Sequence, residues 1–152
     1  MRSLSHPNII KLYEVYEVGN NVALAMEYMN KGSLTSHIAK GPLDEKLSFG
    51  VLRGVLEALK YMQSVNYIHR DIKPGNIMLR TAMPGEGSMD VCKIIDFGLC
   101  ADLLDKSDQS LIHDKSGTVG YLAPEIITKE GKNVFYDGKV DVFSAGIVFY
   151  EM

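Results

Sequence analysis

Asp71, Lys73 and Asn76 stand together in the run His69-Arg70-Asp71-Ile72-Lys73-Pro74-Gly75-Asn76. Asp71 can take a proton from an attacking hydroxyl or orient it. Lys73 can neutralise charge on a transferring phosphoryl group, and Asn76 offers an amide oxygen to a hard cation such as Mg²⁺. Pro74 limits the freedom of the loop that holds them. A lone His-Arg-Asp tripeptide would read as a solvated polar loop. Here Asp96-Phe97-Gly98 follows at the end of an apolar run over 91–95. A carboxylate at a strand end beside a flexible glycine suits a metal that bridges phosphates, although by itself it would read as an ordinary Asp-x-Gly turn. Gly117-Thr118-Val119-Gly120-Tyr121, Ala123-Pro124-Glu125 and Asp141 come next in order.

The elements that must position these groups follow from the pattern of apolar residues. His6-Pro7-Asn8 reads as a turn before a strand, and 11–18 and 22–28 read as two strands joined by a Gly19-Asn20-Asn21 hairpin turn. Asn30-Lys31-Gly32-Ser33 breaks the second strand. A short helix is expected over 34–39, stopped by Gly41-Pro42. A long helix starts near Asp44, whose charge and that of Glu45 suit its positive end. Val51, Leu52, Val55, Leu56, Leu59 and Met62 recur along it at helical spacing and define one apolar face. Short strands are expected at 67–68, 77–79 and 91–95, with a surface loop over 83–90. Residues 98–120 show no period, which fits a mobile segment. A last helix over 140–152 is apolar on most faces and is expected to be deeply buried.

With 152 residues, 46% hydrophobic and 23% charged, the chain can form one domain with a core. A net charge of −3 gives no broad basic surface, which argues against nucleic acid as the main partner. The two cysteines, Cys92 and Cys100, form no CxxC pair and read first as small thiols in a reducing compartment. A reactive thiol at Cys100 is the lesser reading. No apolar run is long enough to span a bilayer, and the first residues lack the apolar stretch of a signal peptide. The cytosol is the default location, with the nucleus as the other.

The order and spacing of these motifs resemble the eukaryotic protein kinase family along essentially the whole chain. The resemblance implies an α+β, protein-kinase-like fold: the end of the small lobe and the hinge over 1–29, and the large lobe up to its central helix over 30–152. It makes Asp71 the catalytic base and Lys73 the stabiliser of the transition state, with Thr118 beside them. Asn76 and Asp96 would hold Mg²⁺. Met26-Glu27-Tyr28-Met29 looks like the hinge that takes adenine of ATP through backbone groups, with Met26 guarding the pocket behind it. Met78 looks like the floor under the ring, and Ser33 joins Met26, Glu27, Met29, Met78 and Asp96 as a cofactor contact. Met26 and Met78 would be buried either as core residues or in these roles. Phe97 and His69, with Leu12 above, look like the column that aligns the lobes. Asp141 looks like the buried carboxylate that accepts backbone N–H groups of the catalytic loop.

Lys73, two residues after the base, and Thr118 resemble serine/threonine kinases, and the 6–15 and 139–146 stretches look most like the calcium/calmodulin-dependent group. The implied partners are proteins bearing Ser or Thr acceptors, ATP, and an upstream activating kinase. Against the family pattern, the glycine-rich loop, the strand lysine and its partner glutamate are missing, as is the arginine that would pair with Glu125. The chain is therefore expected to be a truncated piece of a kinase domain, inactive and marginally stable by itself. The alternative to an active parent kinase is a non-catalytic interaction module.

In such kinases Arg70 would pair with a phosphorylated residue shortly before the Gly-Thr motif. That place here holds Asp114, four residues before Thr118, which would supply a fixed negative charge; the other reading is one solvated charge in His113-Asp114-Lys115. Ser107, Ser110 and Ser116 are the candidate phosphorylation sites. With the unphosphorylated full-length protein, Asp114→Asn should lower basal phosphorylation, and Asp114→Thr should make activity depend on an upstream kinase. Unchanged activity in both variants would exclude the role.

Overall fold

Two turns set the start of the chain. The computed structural model describes residues 4–86, 90–104, 116–128 and 137–152. Strands β1 (Leu12–Val18) and β2 (Asn21–Met26) pair antiparallel, from Val18 opposite Asn21 to Leu12 opposite Met26. Gly19, at φ +61°, supplies the left-handed residue that the tight connection needs. The chain continues through β3 (Gly32–Ser33), α1 (Leu34–Ile38), α2 (Glu45–Ser64), β4 (Tyr67–Ile68), a 3₁₀ turn (Pro74–Asn76), β5 (Ile77–Arg80), β6 (Val91–Ile94), β7 (Ala101–Asp102), α3 (Pro124–Thr128) and α4 (Lys139–Glu151). The result is α+β, with a three-stranded antiparallel sheet in the order β3-β5-β6 and a short β4-β7 pair.

Helix α2 organises the core. Asp44 caps it by accepting the Leu47 N–H at 3.0 Å, which satisfies one of the donors that a helix start leaves over. Val51, Val55, Ala58, Leu59 and Met62 are buried, packed in one cluster with Leu34, Ile72, Ile77, Leu79, Cys92 and Ile94. Leu52 is half-buried and Leu56 is 40% exposed, so the buried stripe is narrower than the expected face. Positions 52 and 56 lie one step around the helix from 51, 55 and 62.

The Pro7-Asn8 turn is locked onto this core. Asn8 donates from Nδ2 to the Cys92 carbonyl at 2.9 Å, and its own carbonyl accepts the Ile94 N–H at 2.8 Å. Gly54 makes the approach feasible: a Cβ there would lie 2.5 Å from Cys92 Sγ and 2.7 Å from Asn8 Nδ2. Burial pushes the Cys92 thiol up to about 11, so it stays protonated at neutral pH.

Helix α4 departs from expectation. Val140, Asp141, Ser144, Ala145 and Val148 are buried, but Val142, Phe143, Phe149 and Tyr150 are exposed, Tyr150 at 91%. An apolar sequence permits burial on every side; what covers each side depends on the neighbours, and α2 packs against one face only among the described residues. The segment expected to lack structure contains β7, paired with β4. Among the described residues no helix is long and apolar enough to cross a membrane.

Two substitutions test the packing. Gly54→Ala should lower the melting temperature, the equivalent of about 1–3 kcal/mol, because the methyl group has no room. Gly146→Ala in α4, where an added Cβ meets nothing within 4 Å, should raise it, by the equivalent of up to about 1 kcal/mol. Two histidines contribute to the acid response. His6 stacks on Tyr61 with ring centroids 5.2 Å apart, and His69 at the end of β4 is fully buried. Burial lowers the pKa of both below 6.5, so the fold keeps them neutral while the unfolded chain takes up protons. Stability from these rings is complete above 6.5 and is lost as the pH falls through the folded values. Melting temperature should drop on acidification below 6.5, and His6→Gln should flatten that slope.

Candidate active site

The loop after β4 is shaped by one carboxylate. Asp141, 2% exposed in the first turn of α4, accepts the His69 N–H at 2.7 Å and the Arg70 N–H at 2.8 Å. Two consecutive N–H groups converge on one acceptor because Arg70 has φ +69°, an unusual conformation for a residue with a side chain. Burial pushes the Asp141 carboxyl up, against the pull of His69, the two N–H groups and Arg70. His69 is held as neutral imidazole: Nε2 donates to the Ile95 carbonyl at 3.0 Å, and Nδ1 accepts the Asp71 N–H at 3.3 Å. Its ring meets Phe97 edge-on at 5.0 Å. Arg70 donates from Nε to the Leu99 carbonyl at 2.5 Å.

Asp71 lies at the centre of a hydrogen-bonded group. Its Oδ2 accepts from Lys73 Nζ at 2.7 Å and from Asn76 Nδ2 at 2.9 Å; its Oδ1 accepts the Thr118 hydroxyl at 2.6 Å. Lys73 also donates to Thr118 Oγ1 at 2.8 Å. Burial alone would raise the Asp71 carboxyl, but the hydrogen bonds from Lys73, Thr118 and Asn76 outweigh it and hold the group below the usual carboxylate value. Asp71 is thus an ionised acceptor at neutral pH.

Thr118 arrives there because Gly117 can pass where no other residue fits. At φ +128°, a Cβ on Gly117 would lie 2.8 Å from the Arg70 carbonyl and 2.6 Å from Leu122 Cδ2. Ser116 is half-buried, and Asp114, Ser107 and Ser110 lie outside the described residues.

Asn76 and Asp96 offer oxygens. Both amide hydrogens of Asn76 are engaged by Asp71, at its carbonyl and at Oδ2, each at 2.9 Å, which leaves the amide oxygen as the donor toward a cation. The Asn76 carbonyl accepts the Ile95 N–H at 2.9 Å and so ties the loop to the residue before Asp96. Asp96 is exposed, with φ +60°, and its Oδ1 accepts the Gly98 N–H at 3.2 Å. An amide oxygen and a carboxylate fit Mg²⁺, which binds through one or two protein oxygens plus phosphates. Among the described residues no cluster of three or more His, Cys, Asp or Glu could hold a metal.

The expected nucleotide-base residues lie on the β2–β3 link and on β5. Met26 is 42% exposed at the end of β2, against the expectation that it is buried: the link leaves the hairpin there, and the described residues cover it only in part. Met29 is buried, and Ser33 and half-buried Met78 are partners across β3 and β5. Glu27 donates its backbone N–H to the Lys11 carbonyl at 2.9 Å, while its side chain pairs with Arg80 at 3.1 Å and Lys93 at 2.8 Å. The sequence reading missed this ion cluster. Its signal was there: Arg80 and Lys93 are charges inside runs of buried residues, and such charges need partners.

The sequence pattern of the family described as protein kinase domain matches residues 1–152. CBL-interacting serine/threonine-protein kinase 20 of Arabidopsis thaliana is 38% identical over 99% of this chain and 32% of its own length. CBL-interacting serine/threonine-protein kinase 2 of the same plant is 35% identical over 99% of this chain and 31% of its own length. CBL-interacting protein kinase 5 of Oryza sativa subsp. japonica is 36% identical over 99% and 30%. The chain thus spans about a third of the length of the curated relatives it matches. By its family match, its motifs and the loop they build, the chain belongs to the protein kinase family.

Proposed function

We propose that this chain supplies the catalytic loop of a serine/threonine protein kinase, which transfers the γ-phosphoryl group of ATP to a Ser or Thr hydroxyl of a protein substrate. The observation that carries the reading is Thr118 on Asp71. An aliphatic hydroxyl sits 2.6 Å from the carboxylate and 2.8 Å from Lys73 Nζ, the arrangement a Ser or Thr acceptor needs. The acceptor oxygen forms its bond to phosphorus as the bond to the ADP oxygen breaks, and the hydroxyl proton passes to Asp71. Lys73 offsets the negative charge on the transferred group. Asn76 and Asp96 would hold Mg²⁺, which when bound neutralises phosphate charge. Met26, Glu27, Met29, Ser33 and Met78 would border the adenine and ribose. The hydroxyl preference rests on Lys73, Thr118 and the likeness to the two Arabidopsis serine/threonine-protein kinases.

Substitutions in the full-length protein separate the roles. Asp71→Asn should reduce peptide phosphorylation by about 10²–10⁴-fold while nucleotide affinity holds, because Asp71 acts on the acceptor. Asp96→Asn should weaken Mg²⁺-ATP binding as well as turnover, since it removes a charged ligand. Nucleotide titration with steady-state kinetics reads both, and near-normal turnover in Asp71→Asn would sink the assignment.

A further inference from the structure

Arg80 and Lys93 are 6% and 7% exposed, deep for cations, and one carboxylate serves both. Glu27 accepts from Arg80 Nε at Oε1, 3.1 Å, and pairs through Oε2 with Lys93 Nζ at 2.8 Å. Arg80 then grips Glu86 with both terminal nitrogens, each at 2.7 Å, and donates to the Thr81 carbonyl at 3.1 Å. Glu86 also accepts the Met83 N–H at 2.8 Å, so the loop after β5 is folded onto its own arginine. Lys93 reaches the Ile9 carbonyl at 3.5 Å. The hydrogen bonds from Arg80 bring the Glu86 carboxyl down to about 2, and those from Glu86 raise the Arg80 guanidinium, so this pair remains charged.

The alternating charges Glu86, Arg80, Glu27 and Lys93 join four places: the 81–86 loop, the end of β5, the β2–β3 link and the middle of β6. They line a cavity of about 530 Å³ shared with His6, Lys11 and Tyr13, and none of Asp71, Lys73, Asn76 or Asp96 borders it. Replacing a buried ion cluster by apolar residues is often neutral for stability, so stability alone is a weak account of this one. Glu27 is the second residue of the segment assigned above to the nucleotide base. Its backbone is tied to Lys11 and its side chain to two cations.

We propose that Arg80, Lys93 and Glu86 are positioning residues for nucleotide binding: through Glu27 they fix the backbone of the β2–β3 link against the base, and the 81–86 loop thereby sets affinity for ATP. The proposal rests on the kinase reading. Because the cluster touches neither acceptor nor transferring group, it acts equally on the ground state and the transition state. Its loss belongs in KM and nucleotide Kd, not in kcat.

The test uses the full-length protein with ATP, a peptide acceptor and inorganic tripolyphosphate, which lacks a base. Lys93→Met should raise the Kd and KM for ATP about tenfold with kcat within about twofold, and Lys93→Arg should restore both. The charge-balanced pair Arg80→Met with Glu86→Gln should do the same while leaving Glu27 paired with Lys93; it decides the matter if Lys93→Met fails to fold. Inhibition by tripolyphosphate should not change in any variant. An unaltered KM, a fall confined to kcat, or an equal loss of tripolyphosphate binding would overturn the proposal while leaving the kinase reading intact. A wild-type protein that neither binds ATP nor phosphorylates peptide would overturn both.

Discussion

The site depends on a carboxylate that touches no part of the Asp71 group directly. Asp141 gathers two adjacent backbone N–H groups at 2.7 and 2.8 Å, and that bend aims everything after it. Buried N–H groups without partners are costly, and a buried carboxylate without donors costs more. Each solves the other's problem. Once the bend is set, His69 falls between Ile95 and Phe97, Asp71 turns outward, and Lys73 and Asn76 close on it through the 3₁₀ turn. The Arg70 carbonyl then forms the wall against which Gly117 must pass, so the Thr118 side is registered to the same bend.

The charged groups divide into two sets with different environments. Around Asp71 the donors outnumber the carboxylate oxygens, and the group stays ionised while half-buried. Around Glu27 two cations share one carboxylate deep in the fold, and the excess charge is balanced by Glu86 at the surface. The first set is closed on itself by Thr118, which meets both Asp71 and Lys73. The second runs from the buried side chains of Arg80 and Lys93 out to Glu86 at the surface and lies apart from Asp71.

Legibility in the sequence followed the range of each interaction. The Asp44 cap, the Gly19 turn and the main strands were readable because they are local: their signals lie within a few residues. The strands β3 and β7 have only two residues each, too short to show a period, and they exist because β5 and β4 pair with them. Leu56 was misjudged because the face of a helix is set by its partner, and Met26 and the outer side of α4 for the same reason. At the site, Asp71, Lys73, Asn76 and Thr118 were marked by motifs, and the structure brings them into one hydrogen-bonded group. The link from Glu27 to Arg80 and Lys93 spans 53 and 66 residues; the local pattern marks the two cations as charges among apolar residues but not the carboxylate they meet.

The same range bears on the order in which the protein is made. His69 and Asp141 are 72 residues apart. A ribosome finishes the loop after β4 well before it adds the carboxylate that bends it. Until α4 has emerged and docked on α2, the His69 and Arg70 N–H groups have only water to bind, and nothing holds Arg70 at a positive φ. The nascent loop therefore carries its full set of side chains before it has a shape, and it acquires that shape only when α4 docks and Asp141 reaches the two N–H groups.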